Sequence, residues 1–209
     1  MQSLASRGQS PYSHDYARSE KILLEQLSTA QERDPLSPTA AHRLYDLAHV
    51  YELQGKVAES ESTDEKLLAA ADQLTSATSY QQAEALHSVW AESLRGRAFA
   101  NVNRGKFSRA EAFFQKALAV AEKGFGPDHL RVTPFLLDLA QYHRSNQRYS
   151  DAEPVYRRLV AVQTRVYGPT TQHLIPTLLA HADCLRHLDR PADADALTSR
   201  AAFMQGRLE

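Results

Sequence analysis

Histidines and acidic residues are the side chains of this sequence that could do chemistry, and one group of them has helical spacing. The chain has 209 residues, with nine His and 25 Asp and Glu. His42, Asp46 and His49 follow one another at intervals of four and three, which places them on one face of a helix. Three such ligands and an open position could hold a divalent ion. Because the adjacent His-x3-His pair is missing, we favour a polar surface without metal, and we expect no cofactor.

Other patterns of catalytic residues are missing from the sequence. It contains no nucleophile motif, no phosphate-binding glycine loop and no dinucleotide fingerprint. Cys184, the single cysteine, cannot form an internal disulfide, and its place in an apolar pattern favours a buried, unreactive thiol. We therefore expect that the protein is not an enzyme.

Net charge and hydropathy disfavour two classes of partner, nucleic acids and membranes. The 24 Lys and Arg balance the acidic residues to a formal net charge of −1, so we expect no nucleic-acid partner. No apolar run approaches the roughly 20 residues that span a bilayer, and we expect no membrane insertion. Residues 1–15 lack the apolar core of a secretory signal, which favours a cytoplasmic location, although a processed mature chain would have the same composition. Plentiful alanine, with only 8 Gly and 9 Pro, favours an all-α fold.

The elements that must position these side chains recur with a fixed period. Residues 126–167 align without gaps with residues 168–208, at an offset of 42. A second step of 42 reaches the segment that begins at Leu94, and a step of 50 reaches the segment that begins at Leu44. A weaker match, to the second half of a unit only, begins at Tyr16. Such a period is typical of a repeat array.

Each unit contains two stretches of helical spacing, separated by a short polar break. Gly, Asn or Asp in the break suits the left-handed conformation that ends a helix. The pattern predicts helices at about 14–32, 38–54, 57–75, 80–103, 107–123, 129–146, 149–166, 171–188 and 191–206. We expect a flexible arm at 1–12 and one array at 13–209, with a capping helix at 14–32 and repeats at about 38–75, 80–123, 128–166 and 170–206.

Small residues recur at one position of each predicted helix. We expect them where the two helices of a unit cross, because a small side chain lets the axes approach closely. In the first helices they are Ala48, Ala98, Ala140 and Ala182, and in the second helices Ser60, Ala110, Ala152 and Ala194. The large Phe114 and Tyr156 should then fill the space between units.

Three motifs of the third unit resemble the tetratricopeptide repeat, in particular the 42-residue variety of kinesin light chains and their bacterial relatives. They are G-P-D-H at Gly126–His129, L-x-x-L-A at Leu136–Ala140, and R-Y-x-x-A-E-P-x-Y-R-R-L at Arg148–Leu159. The resemblance extends from about Tyr16 to Leu208. It implies a right-handed α-solenoid of antiparallel helix pairs and a role in protein binding, for which many unrelated processes use this repeat. A kinesin light chain itself is not expected, since no heptad region is present.

The resemblance also implies which side chains line a concave groove. The first helices of the units form this surface, and counting from their small residues gives the candidate partner-binding residues. They are Tyr45, Asp46, His49, Glu52, Arg95, Phe99, Asn103, Leu137, Asp138, Gln141, Arg144, Asp183, Arg186 and His187. Apolar residues beside both signs of charge suit a bound peptide. A bare surface is less favoured, because Phe99 and Leu137 would be costly to leave exposed as one patch.

Two binding modes of the family are not expected in this chain. The paired Asn residues that grip a peptide backbone in kinesin-light-chain-like units are replaced, for example by Tyr45-Asp46 and Leu137-Asp138. The clamp that holds a terminal carboxylate needs amides or cations where Asp46 and Asp138 stand.

An adaptor or assembly scaffold that binds a peptide or protein segment in the groove is therefore the favoured function. A fixed structural subunit of a larger complex is the alternative, and a peptide-sensing regulator is a third that would need an effector domain. The sequence leaves two roles open for Trp90. One is packing under the longer connection near residues 76–82, and the other is anchoring an interface at the surface.

Overall fold

The chain folds into stacked pairs of α-helices. A computed structural model describes residues 13–76 and 83–206, and these ranges contain nine α-helices and no β-strand. The helices are α1 (Ser13–Arg33), α2 (Pro38–Leu53), α3 (Val57–Ser76), α4 (Ala83–Asn103), α5 (Phe107–Phe125), α6 (Thr133–Ser145), α7 (Tyr149–Tyr167), α8 (Ile175–His187) and α9 (Pro191–Gln205). Four pairs, α2–α3, α4–α5, α6–α7 and α8–α9, form units one to four of an α-solenoid, and α1 packs on α2. No helix of the described ranges is long and apolar enough to cross a membrane.

Most helix ends lie within two residues of their predicted places, but α6 and α8 begin four residues late. A single 3₁₀ turn precedes each of them, at Leu130–Val132 and at Gln172–Leu174. His129 caps the first turn, because its Nδ1 accepts a hydrogen bond of 3.2 Å from the backbone N–H of Arg131. The predicted start of the fourth helix at residue 80 and the arm at 1–12 lie outside the described residues.

The polar break of each unit contains one residue with positive φ. These residues are Gly55, Gly105, Gln147 and Asp189. In unit three the left-handed residue is thus Gln147 and not its neighbour Asn146. The Asn146 side chain instead donates a hydrogen bond of 2.8 Å to the carbonyl oxygen of Tyr142.

The small residues that the repeat predicts at the helix crossings lie in the interior. All eight of them are completely buried: Ala48, Ser60, Ala98, Ala110, Ala140, Ala152, Ala182 and Ala194. Phe114 and Tyr156 are also buried and pack between units, each four residues after the small residue of its second helix.

The contact between units one and two is polar, which the sequence did not reveal. Asp64 holds the place that Phe114 and Tyr156 hold in the next two units, and Arg97 of α4 is fully buried against it. Arg97 Nε donates a hydrogen bond of 2.6 Å to Asp64 Oδ1. Its guanidinium also lies 2.5 Å from a carboxylate oxygen of Glu52, and this group of residues is called the polar seam below.

Ion pairs join the second helix of each unit to the second helix of the unit before it, or, in unit one, to α1. The residue just before α3, α5, α7 or α9 is a cation, and it forms an ion pair with an acidic residue earlier in the stack. The pairs are Lys56–Glu20, Lys106–Glu61, Arg148–Glu111 and Arg190–Glu153, and they are called the inter-unit ladder below. Because α1 supplies Glu20, it takes the place of a second helix at the start of the stack.

Candidate partner-binding groove

A pocket between α4, α5 and α6 brings three of the candidate residues together. It has a volume of about 310 Å³ and is called the central pocket below. Phe99, Asp138 and Gln141 of the candidate set lie in its wall, along with Val102, Phe107, Phe114, Tyr142, Ser145 and Asn146.

Aromatic rings fixed against one another form much of the central pocket. The Phe99 ring is 43% exposed and meets the Phe114 ring edge-on, at 5.1 Å between centroids. The Phe114 ring lies 5.2 Å from that of Tyr142, whose hydroxyl donates a hydrogen bond of 2.7 Å to the carbonyl oxygen of Phe107. Rings held in this way present apolar surface without a large loss of side-chain freedom on binding.

Arg95 and Asp138 neutralise each other beside the pocket. Arg95 Nε donates a hydrogen bond to Asp138 Oδ2, and Asp138 is buried. Burial raises the pKa of the Asp138 carboxyl group, while the hydrogen bond from Arg95 opposes this rise. The guanidinium also lies 5.7 Å from the centroid of the Phe99 ring. These two candidates thus position Phe99 rather than offer free charges.

Leu137 does not line the central pocket with Phe99. It is half-buried and packs on the core. The exposed apolar neighbour in the pocket is instead Phe107, the first residue of α5. The repeat alignment held a signal for it, because Val57 and Tyr149 stand at the same position of their helices.

The candidates of unit one lie apart from the central pocket. The Tyr45 ring packs on Gly96, where a Cβ atom would lie 2.6 Å from its Cε2. Glu52 is engaged in the polar seam by Arg97 and also by Arg104, so it has a structural role. Asp46 and His49 line a separate groove between α1 and α2.

The arrangement around Asp46 does not favour a metal ion. Its carboxylate accepts a hydrogen bond of 2.8 Å from Arg43, and His49 lies 3.6 Å from Glu52. Within residues 13–76 and 83–206, no group of three or more His, Cys, Asp or Glu side chains could hold a metal ion. Cys184 is buried, which raises the pKa of its thiol to about 11 and disfavours the reactive thiolate.

Most candidates of units three and four are paired within the array. Arg144 of α6 lies 3.4 Å from Asp183 of α8. Arg186 donates a hydrogen bond of 3.0 Å to Thr198 of α9. The His187 ring meets the Tyr149 ring edge-on at 4.1 Å, whereas Gln141 and, in unit two, Asn103 are exposed.

Family comparisons agree with the stacked helix pairs. Two family models, both described as tetratricopeptide repeat, match residues 91–158 and residues 44–78. The repeats of this chain are tetratricopeptide repeats. Among curated proteins, none matches its sequence.

Solved structures of similar shape come from kinesin-light-chain-like proteins. One is a putative kinesin light chain from Podosopora anserina with nearly identical TPR-like repeats; it is 15% identical, the match covers 95% of this chain and 92% of that one, and the TM-score is 0.59. Another is BtubC (BKLC) from P. vanneervenii, with 13% identity, coverage of 96% and 93%, and a TM-score of 0.54. At these identities, the likeness of this chain to them is one of fold.

Two buried histidines make the stability of the array depend on pH. His143 and His181 are both buried, and His181 Nε2 lies 3.3 Å from Glu153 Oε1. Burial lowers the pKa of both imidazoles below the ordinary value of 6.5, and for His181 the bond to Glu153 opposes the shift. As pH falls below about 6.5, the unfolded chain therefore binds more protons than the folded one.

We expect the free energy of unfolding to decrease as pH is lowered from 7.5 to 5.5. Urea unfolding followed by circular dichroism at both pH values measures the change. Replacing both residues, His143→Gln with His181→Gln, should flatten the dependence, whereas His42→Gln with His49→Gln at exposed positions should not. An unchanged slope in the first double variant would contradict the assignment to the buried pair.

Proposed function

We propose that this tetratricopeptide repeat protein is an adaptor that binds a peptide or protein segment in its concave groove, with the central pocket as the anchor. The repeat fold itself supports a scaffold for protein–protein interaction. The observation that carries the finer proposal is the pair of exposed rings, Phe99 at 43% and Phe107 at 49%, over a fixed aromatic floor.

Shape and charge of the pocket both favour an apolar side chain of a peptide. A volume of about 310 Å³ is enough for one large side chain. The charges of Arg95 and Asp138, beside the Phe99 ring, satisfy each other, so they add no requirement for a charged ligand. Gln141 and Ser145 in the wall can bond to the backbone on either side of an inserted residue.

Loss of the exposed ring should weaken peptide binding at least tenfold, because buried aromatic anchors dominate such interfaces. Peptides selected from a random display library on the wild-type chain provide the probes, and calorimetry gives their affinities for Phe99→Ala with Arg144→Glu. Val166→Ala is the matched control, since Val166 is equally exposed (44%) but lies on the second helix α7.

Equal affinities of the groove variant and the control, with helix content retained, would contradict the proposal. A concentration series of size measurements addresses the alternative of a fixed structural subunit. An adaptor should remain a stable monomer or dimer on its own, whereas an obligate subunit should self-associate further.

A further inference from the structure

Helix α1 covers the end of unit one with few buried contacts. It has 21 residues, yet among its described side chains Leu23, Leu27 and Ala30 are the buried ones. By comparison, α5 has 19 residues and buries seven of them. The three side chains of α1 pack on Leu44, Leu47 and Tyr51 of α2, a surface called the end face of unit one below.

Open grooves flank α1 along its length. One of about 360 Å³ lies between Leu23 and Val50, and one of about 330 Å³ lies between Leu27 and Tyr51. A third, of about 520 Å³, lies between Ala30 and the start of α2. All three open to the surface, so another chain can reach the sides of α1. Helix α1 thus covers the end face itself but leaves side chains at its edge, such as Val50, only half-buried.

An ion pair between Lys56 and Glu20 sets the position of α1 on this face. Lys56 lies 2.6 Å from Glu20 of α1, and this hydrogen bond lowers the pKa of the Glu20 carboxyl group. It is the first rung of the inter-unit ladder, and later rungs join helices of the array in the same way. The lysine thus requires an acidic residue three positions before the first buried leucine.

We propose that the end face of unit one is a second protein-binding surface, which takes an amphipathic helix of a partner protein in place of α1. The recognised helix carries the pattern that α1 presents: an acid, then two leucines at the spacing of Leu23 and Leu27, then a small residue at the place of Ala30. Helix α1 competes for the surface from within the chain, and it must leave before the partner helix binds.

A labelled peptide of residues 13–33 is the probe for this surface. Its binding to the full chain is measured by fluorescence anisotropy, in wild type and in a variant opened by Leu23→Asp with Leu27→Asp. The tethered α1 has a high effective concentration in the wild type, so the opened variant should bind the peptide at least tenfold more tightly. Ile22→Asp is the matched control, because Ile22 is 42% exposed on α1 and should leave the affinity at the wild-type value.

A charge exchange tests the recognition by Lys56. In the opened variant, Lys56→Glu should weaken binding of the natural peptide at least threefold, and a peptide with Glu20→Lys should recover the loss. No binding to a folded opened variant, or binding that is indifferent to Lys56, would overturn the proposal. A doubled mass of the chain that the peptide reverses would show exchange of α1 between two copies, and would overturn the choice of a partner protein.

Hydrogen exchange of the wild-type chain tests the same idea without substitutions. Amides in the middle of α1 should exchange at least tenfold faster than those in the middle of α2, because α1 must detach while α2 stays folded. Equal protection of the two helices would overturn the proposal, even if the opened variant does not fold.

Discussion

Replacing Arg97 by alanine is expected to lower the free energy of unfolding by about 3–5 kcal/mol, the range for breaking a buried ion pair from one side. Arg97 and Asp64 are almost completely removed from solvent, so Asp64 would keep a buried charge without its main partner. Asn101 also donates a hydrogen bond to Asp64, but at 3.3 Å it cannot replace a cation. Urea unfolding followed by circular dichroism gives the free energy.

Lys116→Ala is the matched control for this prediction. Lys116 pairs with Asp72 across the same two units, but at the surface, where such pairs contribute about 0–1 kcal/mol. If Arg97→Ala costs no more than Lys116→Ala, the polar seam does not hold units one and two together.

A double substitution tests whether the stability lost in Arg97→Ala comes from the unpaired charge of Asp64 or from lost packing. Arg97→Leu with Asp64→Phe copies the residues that the next contact between units has, Leu139 and Phe114. Apolar replacement of a complete buried ion pair is often neutral or stabilising, so the double variant should recover most of the stability lost in Arg97→Ala. A double variant as unstable as the single one would mean that the unpaired charge of Asp64 is not the cause.

Much of the fold follows from the period of the sequence. A repeat imposes the same packing on every unit, so small residues such as Ala98 and Ala140 were expected in the interior between helices, and both are completely buried. The polar seam escaped this reasoning because charged residues are normally placed at the surface. Arg97 and Asp64 are also 33 residues apart and belong to different units, where no periodicity connects them.

The sequence predicts which face of the first helices lines the groove, but not which side chains on that face are already engaged in ion pairs. Spacing placed Phe99 and Gln141 on the inner face, and both lie in the wall of one pocket. It could not tell that Asp138 is bonded to Arg95 of the neighbouring unit, or that Glu52 is taken up by the polar seam. Pairing between adjacent helices depends on their exact approach, which a one-dimensional pattern does not contain.

Replacing Trp90 by alanine is expected to cost about 3–5 kcal/mol, the range for truncating a buried aromatic side chain. Of the two roles that the sequence left open for Trp90, burial rules out the exposed anchor, since the residue has no accessible surface. Its Nε1 donates a hydrogen bond of 2.8 Å to the carbonyl oxygen of Leu36, between α1 and α2. The side chain thus ties unit two to the entrance of unit one. The other role, packing under the longer connection, involves residues 77–82, which lie outside the described residues.

Trp90→Phe separates the hydrogen bond from the apolar volume. Phenylalanine keeps most of the packing but leaves the Leu36 carbonyl oxygen without this donor, so we expect a loss of about 1–3 kcal/mol, smaller than that of Trp90→Ala. Circular dichroism must report both variants, because Trp90 is the single tryptophan and its fluorescence is lost with it. If the two variants are equally destabilised, the bond to Leu36 and not the volume of the ring holds this contact; if neither is, the indole does not couple the two units.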